Sequence, residues 1–173
     1  TDYNDGLVLS LAIDRFIFMA SEPRNDGKIE LVSSAFPGSE LFSVDELKKN
    51  ATASWADYIK GVLDQLRKRR VNFNGFNAAV HGTIPIGAGM SSSAALEVAT
   101  ALTVRKLYPF ALSENGATVP PKRDAKGELP PLTLAERLQV AKACRAAENE
   151  FVGVQSGILD QISSLFSSVP ANK

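Results

Sequence analysis

One cysteine, Cys144, stands in 173 residues, so the chain cannot close an internal disulfide. No charge of one sign prevails: 19 Lys and Arg balance 19 Asp and Glu. That balance argues against nucleic acid or an anionic membrane as the main partner, since both attract a basic surface. Apolar runs are far too short to cross a bilayer, and no signal-peptide pattern opens the chain, so a reducing, cytoplasmic setting is expected. Histidine occurs once. His81 has no carboxylate or cysteine at ligand spacing and reads as structural. The one strong basic run, Arg67-Lys68-Arg69-Arg70, follows a helical stripe and reads as a complement to that helix's negative end. There is no internal repeat, and the length suits one domain with a real hydrophobic core.

What is present is sharper. Phe76, Ala78, Val80, Gly82 and Ile84 alternate like a strand with one buried face. After Met90 the period changes, and Ala94, Ala95, Val98 and Leu102 recur at helical spacing. Between them runs Pro85-Ile86-Gly87-Ala88-Gly89-Met90-Ser91-Ser92-Ser93. Glycines accept left-handed backbone angles and let the chain approach an anion closely. The following helix aims free N–H groups and its positive dipole end at the same point. Three hydroxyls add further contacts to phosphate or to a metal. The loop therefore reads as a phosphate cradle, with Gly87, Ala88, Gly89, Met90, Ser91, Ser92 and Ser93 as nucleotide-binding residues. It is not a Walker loop, because Ala88 rather than lysine follows Gly87. The dinucleotide fingerprint fails too, at Ser92, where Gly or Ala belongs. The plainer alternative is a strand-to-helix turn whose serines cap the helix.

Elsewhere, apolar runs at residues 7–13 and 16–19 precede turn chemistry at Pro23-Arg24-Asn25-Asp26-Gly27 and a strand over residues 28–33, so a hairpin is expected. Trp55, Tyr58, Ile59, Val62, Leu63 and Leu66 form one helical stripe, with Ser54 and Asp57 as a capping-box-like start. A second long helix begins at Thr133, where Glu136 completes a capping box, and buries Val140, Cys144, Ala147 and Phe151. Residues 113–131, rich in Pro, Gly, Lys and Asp, read as an exposed loop insertion without chemistry. Strands come first and helices follow without a repeating βαβ unit. The class is α+β, a mixed sheet with helices packed on one face.

Three residues invite a chemical reading. Ser93 is placed to ligate Mg²⁺ through its hydroxyl. Glu148 lies one turn beyond Cys144 on the border of the buried face, and spacing alone favours a solvated flank. Asp160 sits among Ile158, Leu159 and Ile162, where desolvation would raise its pKa unless a cation or hydrogen bonds offset it; a structural, helix-capping role is the alternative. Trp55, heading its stripe, is a core residue by type.

The loop resembles the second motif of the superfamily of galactokinase, homoserine kinase, mevalonate kinase and phosphomevalonate kinase (GHMP kinases). Thr1-Asp2-Tyr3-Asn4-Asp5-Gly6 resembles the galactokinase signature, and Ser54-Trp55-Ala56-Asp57-Tyr58-Ile59-Lys60-Gly61 follows the galactokinase pattern. Gly157-Ile158-Leu159-Asp160-Gln161 is similar to that family's catalytic segment, and Ala147-Glu148-Asn149 to its metal-binding one. The resemblance implies a ribosomal-protein-S5-like N-terminal domain over residues 1–173, truncated at both ends. It implies ATP and Mg²⁺ as cofactors and galactose as the substrate, phosphorylated at its anomeric hydroxyl to galactose 1-phosphate. Asp160 would be the catalytic acid–base; Asp2, Gly157 and Asp160 would hold the sugar. Trp55 would pack on adenine, and Ser93 with Glu148 would hold the metal. Another sugar, such as N-acetylgalactosamine or arabinose, or a sensor that binds without turnover, are the alternatives. The family's upstream arginine and its C-terminal domain have no counterpart in the sequence. The chain alone is therefore expected to be inactive and to self-associate through an exposed half-interface.

Overall fold

The computed structural model describes residues 7–167. Asp2 and the motif around it lie outside the described residues.

Strands β1 (Ile17–Pro23), β2 (Lys28–Ser33), β3 (Ser39–Ser43) and β4 (Phe76–Gly82) form one sheet in the order β1-β4-β2-β3. β4 runs antiparallel to β1 and parallel to β2, while β2 and β3 pair antiparallel, so the sheet is mixed. The expected hairpin between β1 and β2 is not formed. β4 lies between them, and Gly75 explains how. A Cβ on Gly75 would meet the Lys28 carbonyl oxygen at 2.2 Å, and the Arg24 N–H donates to the Gly75 carbonyl at 2.8 Å. A bare backbone can enter the mouth of the turn; a side chain would block it. Residues 7–13, read as apolar sequence leading into that hairpin, form no strand.

Helices α1 (Ala56–Lys68), α2 (Ser92–Leu107), α3 (Leu134–Ala146) and α4 (Leu159–Phe166) cover one face of the sheet, with a π-helical turn, Ala147–Val152, continuing α3. Ile29, Leu31, Phe76, Ala78 and Val80 join Ile59, Val62, Leu63, Leu66, Val98 and Val140 in a single core. On the opposite face Phe18, Val32 and Leu41 are exposed. The α+β expectation, with helices on one face, agrees with this layout.

Helix starts follow their local chemistry in one case and depart from it in another. Thr133 Oγ1 accepts from the Glu136 N–H at 3.2 Å, and Glu136 Oε2 accepts from the Thr133 N–H at 2.8 Å, a complete capping box. At α1 Asp57 Oδ2 accepts from the Ser54 N–H at 3.4 Å, but Ser54 Oγ accepts from the Ala56 N–H and not from that of Asp57, so only half of a box forms. Helix α2 buries Ala94, Leu96, Glu97, Val98, Thr100, Ala101 and Val104, while Leu102 is exposed. Its contacts with β1, α1, α3 and α4 bury more of its circumference than the single stripe read from spacing.

The basic run is occupied by its own neighbours. Arg67 donates to the Val44 carbonyl, Lys68 pairs with Asp64 at 2.9 Å, and Arg69 donates to Gln65 Oε1 at 2.7 Å. His81 is held by Ser34 Oγ at 2.8 Å and stacks on Phe18. The segment 113–131 is not loop throughout: Thr118–Val119 pairs with Ala111–Leu112, and the Thr118 hydroxyl donates to the Arg69 carbonyl at 2.6 Å.

Candidate active site

Between β4 and α2 the backbone takes positive φ at Gly87 (72°), Gly89 (69°) and Ser91 (56°). Open space surrounds the Cβ position of both glycines, so conformation and not crowding calls for glycine there. Ser91 is the N-cap of α2, yet no side chain caps the helix. The serines do not serve as caps. The first N–H groups of α2 are left facing the loop, as an anion site requires.

This loop separates two cavities. One, of about 570 Å³, is lined by Phe36, Trp55 and Tyr58 together with Gly87, Gly89 and Ser91, Ser92 and Ser93. The other, of about 370 Å³, is lined by Arg15, Gly89, Met90, Ser91, Asp160 and Ser163. Gly89, Met90 and Ser91 border both. In the larger cavity Trp55 stacks on Phe36, with ring centroids 6.0 Å apart and planes 5° from parallel. Trp55 also packs against the core, so it is half core residue and half cavity wall.

Glu148 is buried, at 6% exposure, which overturns the solvated reading from spacing. It lies four residues after the fully buried Cys144, on the same face, at the start of the π-helical turn that continues α3. Gly61 of α1 permits the approach, since a Cβ there would lie 3.2 Å from Ala147 Cβ and from its carbonyl oxygen. The carboxylate accepts from Ser93 Oγ at 3.3 Å on Oε1, and from Ser156 Oγ at 2.5 Å and Gln161 Nε2 at 3.2 Å on Oε2. Burial pushes the Tyr58 hydroxyl pKa up, and the nearby Glu148 and Glu97 charges add to the rise.

Asp160 stands in the first turn of α4 and is exposed, so the desolvation inferred from its apolar sequence neighbours does not arise. Those neighbours, Ile158 and Ile162, pack against the core while Asp160 faces the smaller cavity. Gly157 lies outside the residues lining both cavities.

Ser93 and Glu148 present hard oxygen donors, one hydroxyl and one carboxylate. That set suits Mg²⁺, which commonly takes one or two carboxylates and completes its shell with phosphate oxygens and water. Among the described residues no cluster of three or more His, Cys, Asp or Glu forms a closed metal cage. The sequence reading missed Phe36, Tyr58, Arg15, Ser156 and Gln161. Phe36, Arg15 and Ser156 lie in none of the quoted segments; Tyr58 and Gln161 lay inside two of them, near Trp55 and next to Asp160, with no role read for either.

Comparison with known proteins bears on the fold and the family. The family model for the GHMP kinases N terminal domain matches residues 57–119. The chain has the fold of a GHMP kinase N-terminal domain. Within that class it is similar to galactokinases. It is 36% identical over 166 residues to the galactokinase of Roseiflexus sp. and, over the same length, to that of Thermococcus kodakarensis. Those matches take in 96% of this chain but only 36% and 40% of the two relatives. The structure of Lactococcus lactis galactokinase complexed with galactose superposes with a TM-score of 0.70 at 28% identity, covering 88% of this chain and 34% of that one. A mevalonate kinase structure, at TM-score 0.57 and 20% identity, shares the fold, over 86% of this chain and 42% of that one.

Proposed function

We propose that the chain is part of an ATP-dependent kinase that phosphorylates galactose at its anomeric hydroxyl. One observation carries this reading: a single glycine- and serine-rich loop borders both an aromatic cavity and a cavity bearing an exposed carboxylate. Phosphoryl transfer needs that layout, a nucleotide on one side of its phosphates and an acceptor on the other. Trp55 and Phe36 would stack the base. Gly87, Ala88, Gly89, Met90 and the three serines would hold the phosphates through backbone N–H and hydroxyl groups. Mg²⁺ held by Ser93 and Glu148 would neutralise phosphate charge. Asp160 would take the proton from the sugar hydroxyl as its oxygen attacks the γ-phosphorus, and the bond from that phosphorus to the bridging oxygen would break to release ADP. The smaller cavity would hold the sugar, with Gly157 and Asp2 read as further sugar contacts.

Because the chain spans well under half of its curated relatives' length, it is proposed to bind both substrates with little turnover by itself. Calorimetric titration with ATP in the presence and absence of Mg²⁺, then with galactose, N-acetylgalactosamine and arabinose, tests the reading. The expected result is Mg²⁺-enhanced ATP binding and a preference for galactose. ATP binding without any sugar binding would remove Asp160 from the acceptor site. A preference for another of the sugars would reassign the substrate.

A further inference from the structure

Behind Glu148 lies a buried polar pair that the proposed chemistry does not use. Glu97 of α2 and Gln161 of α4 are both fully buried. Gln161 Nε2 donates to Glu97 Oε2 at 3.1 Å and to Glu148 Oε2 at 3.2 Å, so one amide bridges two carboxyl groups. The remaining oxygens, Glu97 Oε1 and Gln161 Oε1, have no hydrogen-bond partner. Unpaired buried oxygens are costly, and apolar side chains of the same volume would be cheaper. A pair retained there needs a role that apolar residues could not fill.

Its geometry suggests the role. Glu148 Oε2 receives two donors, Gln161 Nε2 and Ser156 Oγ, whereas Oε1 receives only Ser93 Oγ, at the longer distance of 3.3 Å. The carboxylate is thus pinned by one oxygen and offers the other toward the phosphate loop. The terminal torsion of a glutamine is broad and roughly two-fold, so the Gln161 amide needs a second anchor to keep its NH₂ on Glu148. Glu97 Oε2 is that anchor. Glu97 and Ser93 lie four residues apart on α2, which puts them on one face of the helix. We propose that Glu97 is a positioning residue: through Gln161 it holds Glu148 with Oε1 toward Ser93, and so sets how strongly this oxygen pair favours the Mg²⁺ of a bound nucleotide. The same bridge ties Glu148 to the first turn of α4, where Asp160 adjoins Gln161.

The proposal rests on reading Ser93 and Glu148 as the metal pair, and its test separates the two. ATP affinity of the chain is measured with Mg²⁺ and with chelator, and their ratio is compared among the unaltered chain, Glu97→Met and Glu97→Gln. Glu97→Met is expected to lower the ratio about tenfold, the range seen when a ligand's supporting partner is lost, with metal-free affinity unchanged. Glu97→Gln is expected to keep the ratio, because its amide oxygen still accepts from Gln161. An unchanged ratio in Glu97→Met, a parallel loss of both affinities, or a Glu97→Gln as impaired as Glu97→Met overturns the proposal. If Glu97→Met does not fold, Gln161→Met is expected to show the same selective loss, and an unchanged ratio there is equally fatal. No Mg²⁺ enhancement in the unaltered chain refutes the metal pair itself.

Discussion

Ser93 and Glu148, 55 positions apart in the chain, meet through a hydrogen bond of 3.3 Å at the rim of the glycine- and serine-rich loop. Ser93 arrives on the first turn of α2 and Glu148 on the π-helical turn after α3, so two separately built elements complete one pair of hard donors. Removing either donor should weaken metal-assisted nucleotide binding. Ser93→Ala and Glu148→Gln are each expected to lower Mg²⁺-ATP affinity by about tenfold or more, with metal-free ATP binding nearly unchanged. Titration calorimetry in both conditions reads this, and equal losses with and without Mg²⁺ would contradict the assignment.

Trp55 and Phe36 make the aromatic wall of the larger cavity. Trp55→Leu is expected to cost ATP about 1 to 3 kcal/mol of binding, the usual worth of an aromatic stacked on a base. Binding of tripolyphosphate, which has no base, should stay unchanged. A comparable loss for both ligands would place the base elsewhere.

The loop conformation itself can be probed through stability, apart from any ligand binding. Gly89 has a φ of 69° and no atom within 4 Å of its Cβ position, so Gly89→Ala adds strain without a clash. About 1 kcal/mol of stability should be lost, read as a lower thermal midpoint. Ser91→Gly, at a φ of 56°, should move the midpoint the other way.

Glu97 gives a pH signature. Burial pushes its pKa from the ordinary 4.5 up to about 9; the Gln161 hydrogen bond opposes this, while Glu148 on the π-helical turn and Asp160 on α4 reinforce it. Tyr58 of α1 and Cys144 of α3 also sense the Glu97 charge. The fold therefore favours the protonated acid. Its contribution is fully present below pH 4.5 and is lost as pH rises toward about 9, because the unfolded chain releases a proton that the fold retains. Glu97→Gln removes this titration. The variant and the unaltered chain should unfold alike near pH 4, with the variant increasingly the more stable toward pH 9. Parallel stability curves across that window would show that Glu97 does not titrate as described.

Motifs with local causes were legible in the linear chain. The change of period from Val80 to Val98, broken by Gly87 and Gly89, reports a strand, a loop and a helix, because each rests on neighbouring residues only. The Thr133–Glu136 box is likewise a contact between near neighbours. The hairpin misreading shows the limit. Turn chemistry at residues 23–27 is real, yet which strand fills the space between β1 and β2 depends on Gly75, some fifty residues later. The solvated reading of Glu148 failed for a related reason: Ser93, Ser156 and Gln161 close over its carboxylate, and no spacing within α3 shows those partners. The desolvated placement read for Asp160 failed because apolar neighbours along the chain need not surround a side chain in space.

Sequence alone thus determined most of the elements, the glycine- and serine-rich loop between β4 and α2 and the resemblance to a kinase family, all of which depend on residue type and short-range order. Tertiary structure decided the rest: β4 between β1 and β2, Glu148 turned inward to Ser93, Asp160 open to its cavity, and the buried Glu97–Gln161 bridge. Those are contacts between distant segments, set by packing and close backbone approach, and no periodicity along the chain encodes which partners will meet.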